Sequence, residues 1–136
     1  MAILDTTLVI DWMKEAKARR SGKATAKLND LARREETLRV TVFTVGELYV
    51  GVSKGTQPVR EQEAIEAALS ALETVGFEES TAKIFGRIVG RLESQGLVIS
   101  DMDALIASIA LERDELLVTR NVKHFTRVSG LRVEGY

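Results

Sequence analysis

Apolar residues along this chain fall into short continuous runs that alternate with longer stretches spaced by three and four, the signature of strands alternating with helices. Ala2-Ile3-Leu4 is the first such run and ends at Asp5, after which Leu8, Val9, Ile10, Trp12 and Met13, mixed with Asp11 and Lys14, predict an amphipathic helix capped by Asp5 or a threonine. A basic, flexible connection from Ala18 to Lys23 leads into a second helix near Ala24 to Glu36, where Leu28 and Leu31 share a face. Leu38 to Val42 alternates apolar and polar side chains and reads as a second strand. Thr44-Val45-Gly46-Glu47 then opens a helix towards Lys54, with Thr44 and Glu47 at the spacing of a capping box.

Gly55-Thr56-Gln57-Pro58 marks a turn, with proline near the start of a helix over Val59 to Glu73 whose stripe is Ala64, Ile65, Ala68, Leu69 and Leu72. A third strand is expected over Thr74 to Phe77. The next helix starts at Ser80, carries Ile84, Phe85, Ile88, Val89 and Leu92 at helical spacing, and stops at Gly96. Leu97 to Ile99 precedes two acids, Asp101 and Asp103, and a strongly helical stretch from Ala104 to Arg113. Leu116 to Val118 is a fourth strand ending in the polar turn Thr119-Arg120-Asn121, and Leu131 to Glu134 a last one. Strands separated by helices imply a single α/β domain over residues 1–136, with a central parallel sheet covered on both faces. Such sheets receive ligands beyond the carboxyl ends of their strands. Asp5 and Asn121 stand at two of those ends, and Glu47 falls in the first turn of a helix that follows a third.

Composition narrows the chemistry. With 45% hydrophobic and 29% charged residues over 136 positions, the chain has the make-up of an ordinary soluble domain. It contains no cysteine and one histidine, His124, which excludes thiolate chemistry and argues against zinc. A net charge of −1 supplies no global attraction to nucleic acid, so any such binding needs local patches or a bound cation. No run is long enough to span a bilayer, and Asp5 comes too early for a signal peptide, so a cytoplasmic protein with no membrane partner is expected.

Each acid has an ordinary structural explanation: Asp5 as a helix cap, Glu47 as a capping-box residue, Ser100 with Asp103 as another box, or Asp101 as a cap. Together they make a different case. Carboxylates within about 5 Å of each other repel by roughly 3 kcal/mol per pair at an effective dielectric near 20. If Asp5, Glu47 and Asp103 meet in this way they call for a cation, and an oxygen-only donor set selects a hard ion such as Mg²⁺ or Mn²⁺. A hard divalent ion in an open site suits phosphodiester hydrolysis. Asp101-Met102-Asp103 also mimics the DxD of aspartyl-phosphate phosphatases, but the downstream acids that chemistry needs are missing, Asp114 being the only later aspartate.

The chain resembles the PIN-domain family, specifically the VapC-type toxin ribonucleases of toxin–antitoxin pairs. The residues that carry the resemblance are Ile3-Leu4-Asp5-Thr6-Thr7, Val45-Gly46-Glu47-Leu48 with Gly51, Asp103-Ala104-Leu105-Ile106-Ala107, Leu117-Val118-Thr119-Arg120-Asn121, and Phe125 to Val128 with Gly130, Leu131 and Val133, in order along nearly the whole chain. It implies a PIN-like α/β/α fold and an RNA-cleaving site of Asp5, Glu47 and Asp103 that binds Mg²⁺ or Mn²⁺. It also implies a homodimer and a small antitoxin as partner. The family often has aspartate at the position of Asn121 or three residues later, where this chain has Asn121 and His124. Asn121 can hold a water or a phosphate oxygen without adding charge, and Asp101 is a candidate to compensate. Thr6 and Thr119 carry hydroxyls suited to orienting a carboxylate. Arg19, Arg20, Lys23, Arg120, Lys123 and Arg127 are candidate RNA contacts, and Trp12, Tyr49 and Val52 candidate apolar contacts. The competing expectation, prompted by Asn121, is a catalytically silent module that binds RNA or a protein.

Overall fold

The computed structural model describes residues 1–136. Twelve elements follow one another as β1 (Ala2–Leu4), α1 (Thr6–Lys17), α2 (Lys23–Arg33), β2 (Leu38–Thr41), α3 (Val42–Lys54), α4 (Pro58–Leu69), β3 (Glu73–Val75), α5 (Glu79–Ser94), α6 (Asp101–Arg113), β4 (Leu116–Val118), α7 (Val122–Phe125) and β5 (Val133–Glu134). The five strands form one parallel sheet in the order β3-β2-β1-β4-β5. The chain therefore leaves β1 in one direction, through β2 to β3, and returns to build β4 and β5 on the other side. That reversal places a switch point between β1 and β4, whose registers pair Leu4 with Val118.

The two-residue period of a strand divides the core. Ile3 and Leu117 join α5, α6 and α7 in one cluster, while Ala2, Leu4, Val40 and Val118 join α1, α2, α3 and α4 in the other. Helix α6 is apolar on almost every side, with Ala104 and Ile106 to Ala110 buried, and Phe125 is sealed beneath it. Trp12, Tyr49 and Val52 are half-buried against the second cluster, so packing accounts for them.

Several element boundaries differ from the sequence reading, each for a local reason. Helix α3 begins at Val42, because Thr41 at the end of β2 is its cap and accepts the Thr44 amide at 3.2 Å. Thr44 and Glu47 are thus no capping box, and Glu47 sits one turn further in. Glu35, at φ 58°, stops the segment that ends α2 at Arg33 rather than at Glu36. Helix α4 ends at Leu69, releasing Glu73 to pair with Arg39 in β3. Helix α6 begins at Asp101, three residues before the expected Ala104, because Ser100 accepts the Asp103 amide at 3.1 Å. Val122 to Phe125, unassigned by periodicity, closes into the short α7. Gly96, at φ 69°, ends the segment after α5 as its spacing implies.

One acid without a signal in the sequence is structural. Glu15 is 5% exposed and its carboxylate accepts the amides of Gly22, Ala24 and Thr25 and the Thr25 hydroxyl. It caps α2 from the last turn of α1 and fixes the turn between them. The Thr25 hydroxyl foremost, then the Thr25, Gly22 and Ala24 amides, outweigh burial and lower its pKa from 4.5 to about 2. A depressed folded pKa contributes stability above the unfolded value, and that contribution is lost as pH falls from about 4.5 towards about 2. Glu15→Gln should lower Tm by several degrees at pH 7. The gap to wild type should close as pH is lowered through this window, as followed by circular dichroism melts.

Candidate active site at the sheet switch point

Asp5 emerges from β1 where its own amide donates to Val118 O of β4 at 2.9 Å, and its side chain caps α1 through the Thr6 amide at 2.9 Å. Its other oxygen accepts the Thr7 hydroxyl at 3.1 Å and the Thr119 hydroxyl at 2.8 Å. Thr119 is fully buried and also accepts the Asn121 amide at 3.0 Å. One hydroxyl therefore ties the end of β4 to the acid at the end of β1 and starts the turn into α7. Asp5 itself is 3% exposed, so it lies within the packed protein and not outside the core.

The α3 side is joined in the same way. The Thr6 hydroxyl donates to Glu47 Oε1 at 2.7 Å and lies 2.9 Å from the Thr44 hydroxyl. Since Thr6 has one proton and gives it to Glu47, Thr44 donates to Thr6. Thr44, fully buried, is the site-supporting residue the sequence does not reveal, because its spacing to Glu47 reads as a cap.

Asp103, in the first turn of α6, is the third acid. Burial foremost and the nearby charge of Asp5 next push its carboxyl above the usual carboxylate range, while Ser100 and His124 pull the other way. His124 Nδ1 stands 3.9 Å from Asp103 Oδ2. No lysine or arginine pairs with Asp5, Glu47 or Asp103. No three of the Asp, Glu and His side chains converge as a ready-made metal cage. The fold instead puts Asp103 within the field of Asp5 and brings Glu47 in through Thr6. That open set of carboxylate oxygens, with like charge that no lysine or arginine offsets and no soft ligand, fits a hard cation that keeps much of its water.

The remaining candidates divide. Asn121 precedes α7 and its carboxamide makes no capping bond, which leaves it available beside Thr119. Asp101 is exposed and has no resolved tie to the other acids. Arg120 pairs with Asp11 at 3.0 Å, and Asp11 also accepts the Tyr136 hydroxyl at 2.7 Å. Arg127 is engaged with the Val98 carbonyl at 2.7 Å, whereas Lys123 is exposed on α7. Arg19, Arg20 and Lys23 lie beyond the far end of α1, about 18 Å along the helix from its Asp5 cap at 1.5 Å per residue.

The PIN domain model matches residues 2–131. The chain belongs to the PIN-domain family. Ribonuclease VapC2 of Haemophilus influenzae is 34% identical over 134 residues, spanning 98% of this chain and 96% of that one. The tRNA(fMet)-specific endonuclease VapC of Shigella flexneri is 32% identical over 97 residues, covering 71% and 74% of the two chains. A crystal structure of VapBC2 from Rickettsia felis bound to a promoter DNA fragment superposes with a TM-score of 0.89 at 29% identity, over 99% of this chain and 98% of that one. This PIN domain is thus of the VapC type, as the ordered motifs imply.

The Thr119 hydroxyl is the joint of this candidate site. Thr119→Val keeps the volume but strands the Asn121 amide and leaves Asp5 Oδ2 with the Thr7 hydroxyl alone, which should cost about 1–3 kcal/mol. Thr119→Ser should cost clearly less. Urea unfolding of both variants checks the difference.

Proposed function

We propose that this chain is a metal-dependent endoribonuclease, the toxin of a toxin–antitoxin pair. The observation that carries the proposal is Asp103, partly buried in the field of Asp5 at the switch point, with no lysine or arginine to neutralise either acid. Relatives named as ribonucleases, one of them as tRNA-specific, support RNA as substrate. The VapBC complex of Rickettsia felis supports a cognate antitoxin as partner. A second copy of the chain completes the assembly we envisage. No helix is long and apolar enough to cross a membrane, which agrees with a substrate met in solution.

In this reading Asp5 and Asp103 would hold Mg²⁺ or Mn²⁺, with Glu47 as a further carboxylate and Asn121 as a neutral polar group. When bound, the ion would activate water and offset charge developing on the scissile phosphate. The chain's own contribution is orientation. Thr119 and Thr7 fix the rotamer of Asp5, Thr6 fixes one oxygen of Glu47 and leaves the other free, and Ser100 fixes the start of α6 and so the direction of Asp103. In the same reading Asn121 and Lys123 contact phosphate oxygens of the RNA, with Arg120, held by Asp11, as a further contact.

Asp103→Asn is the cleanest test, because Asp103 is less buried than Asp5 and its side chain supports less of the fold. A metal site is worth several kcal/mol to the transition state, so cleavage of a labelled RNA should fall on the order of a hundredfold or more, with Tm preserved. EDTA should abolish wild-type cleavage and Mn²⁺ restore it. Native-rate cleavage by Asp103→Asn would refute the assignment.

A further inference from the structure

Residues 14–23 hold five cations, Lys14, Lys17, Arg19, Arg20 and Lys23, in a protein whose net charge is −1. All five are exposed, and none takes part in an ion pair. The single acid of the segment, Glu15, is buried and spends its carboxylate on the amides and hydroxyl that hold the turn. It shapes the surface that carries the cations and leaves their hydrogen-bonding capacity open.

The backbone carries the same message. Arg20 N donates to Glu15 O and Arg19 N to Ala16 O, the bonding of a helix end whose central residue is usually glycine. Here that residue is Arg19, at φ 52°, a left-handed conformation disfavoured for a residue with a Cβ. At Gly22, by contrast, a Cβ would press on the Glu15 carboxylate and the Arg20 guanidinium, so glycine there leaves room for the clamp. A cation sits where the fold would be better served by glycine, in a turn whose shape a dedicated buried carboxylate maintains.

We propose that this turn is a second RNA-docking site, an electropositive exosite for the phosphate backbone of a folded RNA, remote from the acids that cut it. The inference rests on the ribonuclease reading. Lys14 stands about 13 Å and Lys17 about 18 Å from Asp5 along α1, with the turn following, so the five cations are set apart from the scissile phosphate and can hold a flanking part of the same molecule. None of the exposed large hydrophobic residues, Met1, Val42, Val50, Val59 and Val98, lies in the turn, so it lacks the apolar wedge of a membrane-binding element. The patch supplies locally the attraction that the overall composition withholds.

The test is fluorescence anisotropy in EDTA, so that nothing is cleaved, with a labelled RNA stem-loop, a labelled RNA trinucleotide and a DNA duplex. The combined variant Lys17→Gln, Arg19→Gln and Arg20→Gln should weaken stem-loop binding about tenfold or more at low salt. The slope of log K against log salt should become shallower by about 2 to 3 units, as three lost phosphate contacts require. Trinucleotide binding should not change. Arg19→Gly should raise Tm while weakening the stem-loop, a pair of opposite signs that a purely structural arginine would not give. Unchanged stem-loop affinity and slope would overturn the proposal. So would an equal loss on the DNA duplex, which would make the turn a general polyanion surface. Because binding is read without cleavage, loss of the patch effect and retention of activity by Asp103→Asn are separate failures.

Discussion

The hydrogen bond from Thr119 to Asp5 is the constraint on which the rest of the structure depends. Two strands that are neighbours in the sheet are far apart in the chain, and their ends are locked together by a buried hydroxyl on a buried carboxylate. Around that lock the first helix is capped, the turn into α7 is started, and the acid of α6 is brought near enough to feel the charge of Asp5. The switch point of the sheet brings these ends together, and the threonines fix their side chains.

Comparison of the carboxylates shows how environment assigns their tasks. Glu15 and Asp5 are buried to nearly the same degree, yet Glu15 is saturated by three amides and a hydroxyl within one turn, and it serves as scaffold. Glu115, also buried, is committed to Arg39 and Arg113 at the opposite end of β4. Asp103 has no guanidinium or ammonium partner, and its proton affinity is raised by burial and by Asp5. A half-buried acid in that condition still has its charge to offer, whereas Glu15 and Glu115 have already spent theirs on the fold.

Much of this was legible in the amino-acid order. Apolar runs separated by helical stripes specify the parallel sheet, and the strand ends then nominate Asp5 and the Thr119–Asn121 turn as one rim. What the sequence conceals is which local signal wins where two compete. Thr44 and Glu47 satisfy a capping pattern, but Thr41 lies closer to the strand end and takes the role, freeing Thr44 to support Thr6. The clamp by Glu15 is likewise silent, because its partners lie seven to ten residues on, outside any helical spacing. The three-residue bond from the Asp103 amide to Ser100 was readable as a cap, and it leaves the carboxylate of the same aspartate free for the role proposed for it.

The proposed site requires Asp5 and Asp103 to share a hard divalent ion. Isothermal titration of the metal-free protein with Mn²⁺ tests it without reference to any RNA. Wild type should show saturable binding that falls at least about tenfold in Asp103→Asn, the equivalent of about 1.4 kcal/mol. Equal Mn²⁺ affinity in the two proteins, or no binding by either, would contradict it.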